Sequence, residues 1–173
     1  MLNDKSIIFI ATPSIVFEQI VMRISDHIDE KPYLVSCTKG ILDDPFRSLS
    51  EVISSTLKNN IGVLSGPNLA KEIANEKVAG TVIASKDENL VNIVKSILSS
   101  QTFKIYSSND MQGVEMAGAL QNIYAVICGM AESLKVGENA IGLILTRSMA
   151  EMSRFAVATV SYTHLRAHET NVD

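Results

Sequence analysis

The sequence predicts a chain in two parts: an α/β domain on a largely parallel sheet, followed by an all-helical part. Two observations carry this. Up to about residue 108, short runs of β-branched and aromatic residues alternate with stretches whose apolar residues recur at helical spacing. Beyond that point glycine, alanine and methionine dominate two long stretches separated by a break at Gly137. The boundary is placed near residues 108–112, so that segment 1–109 forms the first part and 110–159 the second.

Each element has its own signal. "SIIFIA" (6–11) is a continuous apolar run of the kind a strand buried on both faces shows, and Pro13 closes it. From Ser14, read as an N-cap, Ile15, Phe17, Ile20, Val21 and Ile24 fall on one side of a helix that ends before the polar "DEKP". "YLVSC" (33–37) reads as the second strand. A helix around 47–58 turns Leu49, Val52, Ile53 and Leu57 inward, and strand "IGVLS" (61–65) follows. A short helix from Pro67 then leads to strand "GTVIAS" (80–85), a helix over 87–99 and strand "TFKIYS" (102–107). The helical part reads as one helix from Asp110 to about Leu134 and another from about Asn139 to Val157.

Composition narrows the function classes. With 46% hydrophobic and 20% charged residues, 173 residues can bury a core. A formal charge of −4, no block of basic residues and few aromatics give no footprint for nucleic acid. The apolar runs, such as Ile7–Ala11 and Ile123–Ala131, are shorter than the roughly 18–20 residues of a membrane span, so none is expected. "MLNDKSIIFIATPS" fits neither a signal nor a transit peptide. Cys37 and Cys128 lack a paired spacing and read as buried thiols of a reducing compartment, with the cytoplasm as the expected location.

In open parallel sheets, ligands collect beyond the carboxyl ends of the strands. After the first strand comes "ATPS", a turn fixed by Pro13. The second ends in "CTKG", which places Lys39 at a strand mouth beside Gly40; its ammonium there either meets a phosphate or carbonyl oxygen, or is simply solvated. In "LSGPNLAKE" (64–72), Gly66 permits a tight turn and Pro67 suits the first helical position, so the following N–H groups favour an anion. The alternative is an ordinary strand-to-helix turn capped by Ser65, with Lys71 and Glu72 on a solvated face. On the long helix, Gly118, Ala125 and Gly129 leave little bulk near the polar pair Gln121 and Asn122, and Asn122 is either bonded in a core or presented to a substrate. Glu115 lies on a similar face, and it, Arg147 and Arg154 are equally readable as structural ion pairs.

In that order and spacing, "TKG", "SGPNLAKE", "GALQN" and "LTRSMAEMSR" resemble the NAD(P)-dependent glycerol-3-phosphate dehydrogenase family, from about Ser6 to Val157. The resemblance implies the second half of a Rossmann-type domain followed by the first helices of an all-α C-terminal domain. It implies NAD or NADP as cofactor and reduction of dihydroxyacetone phosphate to sn-glycerol 3-phosphate, which feeds phospholipid synthesis in bacteria. By the same resemblance Lys39 lies at the junction of cofactor and substrate, Gly66, Asn68 and Asn122 contact the small phosphorylated substrate, and Pro13 and Ala70 approach the cofactor.

Two positions depart from the pattern. The family's "LKN" lysine, which protonates the ketone oxygen, is Gln121 here, and a neutral amide donates a hydrogen bond without giving up a proton. Ile141 stands where the family usually carries a basic residue. None of the nine glycines has the G-x-G-x-x-G spacing, and the opening strand resembles a middle strand of the family's sheet, so Met1 reads as an internal methionine. The family's later helices, with an Asp and an Arg–Asn motif, are replaced by "VSYTHLRAHET" (160–170). That string resembles a translated transposon-type sequencing adapter, so 160–173 is expected to be non-native, and the i, i+4 pair His164 and His168 is not read as a metal site. Two rivals remain: a non-catalytic paralogue that binds a phosphometabolite or a partner protein, marked by Gln121, and a related dehydrogenase acting on another hydroxy acid.

Overall fold

The computed structural model describes residues 4–43 and 46–169, with side chains through residue 158. Contacts divide the chain into two compact units, Met1–Glu115 and Met116–Asp173. In the first, β1 (Ile7–Ile10) leads through a 3-10 turn at Ser14–Val16 into α1 (Phe17–Ser25), and β2 (Tyr33–Ser36) follows. Next come a hairpin of β3 (Ile41–Asp43) and β4 (Phe46–Ser48), α2 (Leu49–Thr56), β5 (Ile61–Ser65) and α3 (Ala70–Ala74). The unit continues through β6 (Ala79–Ala84), α4 (Glu88–Leu98) and β7 (Phe103–Ser108) into the first turn of α5 (Met111–Ser133).

The main sheet has the order β1-β2-β5-β6-β7. Side chains alternate across it, so neighbours on one strand serve opposite cores. Leu34 of β2 joins Ile10, Phe17, Val21, Leu49, Val52 and Ile53 under α1 and α2. Val35, the next residue, joins Ile83, Leu90, Val91 and Val94 under α4. Each of these side chains contributes about 1.5–3 kcal/mol through burial. Helix starts are chemically marked: Ser48 and Glu51 form a capping box on α2, and the Asp87 carboxylate accepts the Asn89 and Leu90 N–H groups of α4.

The sheet is largely parallel, as expected, with one antiparallel pair, and the structure amends the expected elements at three further points. β5 and β6 pair antiparallel, whereas β1/β2, β2/β5 and β6/β7 are parallel. The five-residue α3 rises only about 7–8 Å against roughly 17 Å for β5, too little to carry the chain back along a sheet face for a parallel return. Residues expected to begin the helix near 47 instead close the β3–β4 hairpin, and the helix starts behind the Ser48 cap. Ser14 is not a helix cap: it opens the 3-10 turn, whose N-cap residue is Pro13. Unbroken apolar runs also fail to reveal that α5 is long and apolar enough to cross a membrane by length and composition. Against such a role, α5 carries Gln112, Glu115, Gln121, Asn122 and Glu132, and its first turn is hydrogen-bonded to α2.

The second unit holds the rest of α5 and α6 (Glu138–Glu169), joined through Lys135 and Gly137, both at positive φ (53° and 95°). The backbone of α6 runs on through the expected adapter-like segment to Glu169. The side chains of His164 and His168 and all of residues 170–173 lie outside the described residues.

Candidate functional site

Parallel pairing of Ile10 with Ser36 brings the carboxyl ends of β1 and β2 side by side. The Thr38 hydroxyl, itself buried, staples them: it donates to the Thr12 carbonyl (2.9 Å) and accepts from the Thr12 N–H (3.3 Å). The Cys37 N–H adds a bond to the Ile10 carbonyl (2.9 Å). On the far side of Lys39, Gly40 sits at φ +138°, and a Cβ there would come within 2.9 Å of Ser14 Cβ. Lys39 is therefore held between a bonded threonine and a glycine that tolerates no side chain. It is half-buried, and loss of solvent lowers its ammonium pKa below the usual lysine value. Pro13 is exposed at the neighbouring mouth, and the buried Thr12 Oγ1 beside it has no hydrogen-bond partner among the described residues.

β5 lies next to β2, so its carboxyl end is the adjacent mouth. A Cβ on Gly66 would meet the Gly80 carbonyl, Thr81 Cα and Thr81 Oγ1, each at 2.9 Å, so the turn packs directly on the β6 backbone. Asn68 donates from its backbone to the Gly66 carbonyl (2.8 Å) and from Nδ2 to Thr81 Oγ1 (3.0 Å). These bonds hold an exposed amide in place. The helix expected from Pro67 starts only at Ala70, with Leu69 as an N-cap residue that makes no side-chain bond, so neither Pro67 as first residue nor Ser65 as cap describes this turn. The reason is local: the bonds of Asn68 keep 66–69 out of helical conformation. Ala70, Lys71 and Glu72 are exposed. A groove of about 290 Å³ begins at Pro67 and runs past Leu69 and Gly80 to Lys104 and Tyr106; nothing in the local sequence marked Lys104. A larger cleft, about 610 Å³ and lined by Asn59, Asn60, Ser85 and Asp87, lies at the opposite end of β5 and contains none of the residues singled out from sequence.

The first unit thus brings Pro13, Lys39, Gly66 and Asn68 to adjacent strand mouths. Gln121 and Asn122 belong to the second unit, where Gln121 is half-buried and Asn122 exposed. Arg154 and Glu151 lie near Tyr124, whose pKa is raised by lost solvent first and by Glu151 second. Glu115 is in no ion pair among the described residues; its buried carboxylate is hydrogen-bonded to Ser50, a residue that carries no signal in the sequence.

Comparison with known proteins agrees along almost the whole chain. The family described as NAD-dependent glycerol-3-phosphate dehydrogenase N-terminus matches residues 1–91, and its C-terminus counterpart matches 110–169. A glycerol-3-phosphate dehydrogenase [NAD(P)+] of Alcanivorax borkumensis is 46% identical over 157 residues, covering 90% of this chain and 46% of that protein. One of Acinetobacter baylyi is 47% identical over 156 residues, covering 90% and 43%. The crystal structure of a glycerol-3-phosphate dehydrogenase from Coxiella burnetii superposes with a TM-score of 0.81 at 33% identity, covering 89% of this chain and 47% of that one. The chain spans about half the length of these relatives. A pyrroline-5-carboxylate reductase from the same organism, at 15% identity and a TM-score of 0.50, shares the fold. The sequence matches and the superposition converge on one assignment, and the chain belongs to the NAD-dependent glycerol-3-phosphate dehydrogenase family.

Proposed function

We propose that this chain forms the substrate side of an enzyme that reduces dihydroxyacetone phosphate to sn-glycerol 3-phosphate with NADH or NADPH, and that it works in the cytoplasm. The observation that carries the reading is Lys39: a partly desolvated cation fixed between Thr38 and Gly40 at a strand mouth, in a chain whose relatives bear that enzyme's name. Lys39 binds the substrate and polarises its carbonyl oxygen next to the cofactor. Gly66 brings backbone close to the substrate, and Asn68, anchored on Thr81, offers it a fixed amide. Asn122 contributes a second amide from α5. Pro13 and Ala70 border the cofactor, and the Thr12 hydroxyl at the β1 mouth, without a hydrogen-bond partner among the described residues, suits a polar ligand there. A bound nicotinamide cofactor would supply the hydride.

At position 121 the family's proton donor is replaced by an amide, which stabilises a developing alkoxide without neutralising it. Substrate binding survives this better than turnover. In the full-length protein, Gln121→Lys raises the rate of NADH oxidation on the order of 10²–10⁴-fold, the usual contribution of a positioned acid. Equal rates for the two proteins would remove Gln121 from the chemistry. The same residue favours a second reading, a phosphometabolite-binding paralogue without catalysis. Titration of the full-length protein with dihydroxyacetone phosphate and NADH separates the two: binding without oxidation supports the paralogue, and oxidation supports the enzyme.

A further inference from the structure

The turn after β5 is closed by its own main chain, where the Asn68 N–H donates to the Gly66 carbonyl (2.8 Å). The Asn68 side chain makes a second bond that this closure does not need: Nδ2 donates to Thr81 Oγ1 (3.0 Å). Thr81 stands on β6 and is only 1% exposed, whereas Asn68 is exposed. Gly66 keeps the way between them open, since a Cβ there would lie 2.9 Å from the same Thr81 hydroxyl. A valine at position 81 would occupy much the same space with no buried oxygen to satisfy, so packing alone gives no reason for the hydroxyl.

The sense of the bond gives one. A primary amide has two unlike ends, a carbonyl oxygen that only accepts and an NH2 group that only donates. With Nδ2 seated on the buried hydroxyl, Oδ1 diverges from it at the exposed end of the side chain, and no group among the described residues donates to that oxygen. The β5 mouth therefore presents an acceptor of fixed orientation. Near neutral pH the ketone and phosphate oxygens of dihydroxyacetone phosphate are acceptors too, and an acceptor facing an acceptor is repelled. The one donor on that molecule is its free hydroxyl.

We propose that Asn68 reads the free hydroxyl of the substrate through Oδ1, and that Thr81 is the positioning residue that holds the amide in this sense. The inference rests on the reading of this mouth as a site for dihydroxyacetone phosphate and adds which end of the molecule Asn68 contacts. Its test compares dihydroxyacetone phosphate with acetol phosphate, the same ketone phosphate without the hydroxyl. Both are titrated calorimetrically into the full-length protein with oxidised NAD or NADP present, so that no hydride is available. Because Asn68 is exposed, water takes the vacated place, and the parent protein binds acetol phosphate about tenfold more weakly, the ordinary worth of one hydrogen bond. Asn68→Ala and Thr81→Val each remove most of that preference, and Thr81→Ser, which keeps the hydroxyl, retains it. The ratio is what matters: a change that merely loosens the fold weakens both ligands alike and leaves their ratio unmoved. Asn68→Ala, at an exposed position, decides the matter if Thr81→Val does not fold. The proposal is overturned if the parent binds the two compounds equally, or if the preference survives in Asn68→Ala or Thr81→Val. Failure of the broader reading looks different, because neither compound then binds; equal binding overturns the hydroxyl contact alone and leaves dihydroxyacetone phosphate as the ligand.

Discussion

Thr38 holds Lys39 in place from the adjacent position, while the thiol on the other side of Thr38 is removed from chemistry altogether. Burial pushes the Cys37 pKa up to about 11. At pH 8 the thiolate fraction of such a group is on the order of 10⁻³, and the thiolate is the reactive form. Alkylation with iodoacetamide at pH 8 should therefore modify Cys37 only after denaturant is added, and rapid labelling of the native chain at that position would show the β2 mouth to be more open than described. Glu115 gives a second titration test. Its folded pKa lies above the ordinary carboxylate value, because burial outweighs the bonds from Ser50 and Ser48. The folded chain consequently binds that proton more tightly than the unfolded one. The stability Glu115 contributes is complete below the unfolded pKa of about 4.3 and is lost as pH rises through the folded value. Glu115→Gln stays neutral throughout, so its urea midpoint should gain on that of the parent chain as pH rises from about 4; a constant difference would contradict the shift.

At the scale of elements, the junction of β5 with β6 is the most exacting. A methyl group on Gly66 would press on the Gly80 carbonyl and Thr81 Cα at 2.9 Å, and these are backbone atoms that cannot rotate away. Gly66→Ala should cost about 1–3 kcal/mol through overpacking, read as a lower urea midpoint, and should displace Asn68 from Thr81; an unchanged midpoint would mean that β6 yields. The same junction marks where sequence stops being informative. β1, β2 and β5 were legible because strands buried on both faces must be continuously apolar, and α1 and α4 because one apolar stripe faces each core. Direction is another matter: the antiparallel return of β6 follows from how little α3 rises, and a five-residue helix leaves no period to read. The three-residue strands of the hairpin escape for the same reason. Lys39, Gly66 and Asn68 stood out because each directly follows a legible strand. The Ser50–Glu115 bond did not, since its partners are far apart in sequence and Ser50 carries no local mark of being an unfinished helix start.

For the molecule as a whole, the second unit raises the question of what its apolar surface does in water. Ile123, Val126, Ile127, Met130 and Leu134 are exposed on or just beyond α5, and Leu143, Leu145 and Met149 on α6. Scattered apolar residues on a surface are ordinary, but i, i+3 and i, i+4 spacing from Ile123 to Leu134 puts these on a shared strip of helix. Contiguous strips beyond a few hundred Å² are rare on monomers and mark contact surfaces or aggregation. The first unit differs, with apolar clusters on both faces of its sheet and a capped helix over each. The chain should therefore self-associate through the second unit: light scattering on a sizing column should give a mass that rises with concentration, accompanied by binding of the dye ANS. Changing Val126, Met130 and Leu134 together to glutamine should lower both signals. It should leave the denaturant unfolding of the sheet unit unchanged, because none of the three belongs to its cores. A concentration-independent monomer that binds no dye would show instead that α5 and α6 cover this strip in solution, and the exposure described for Met130 and Leu134 would then have to be abandoned.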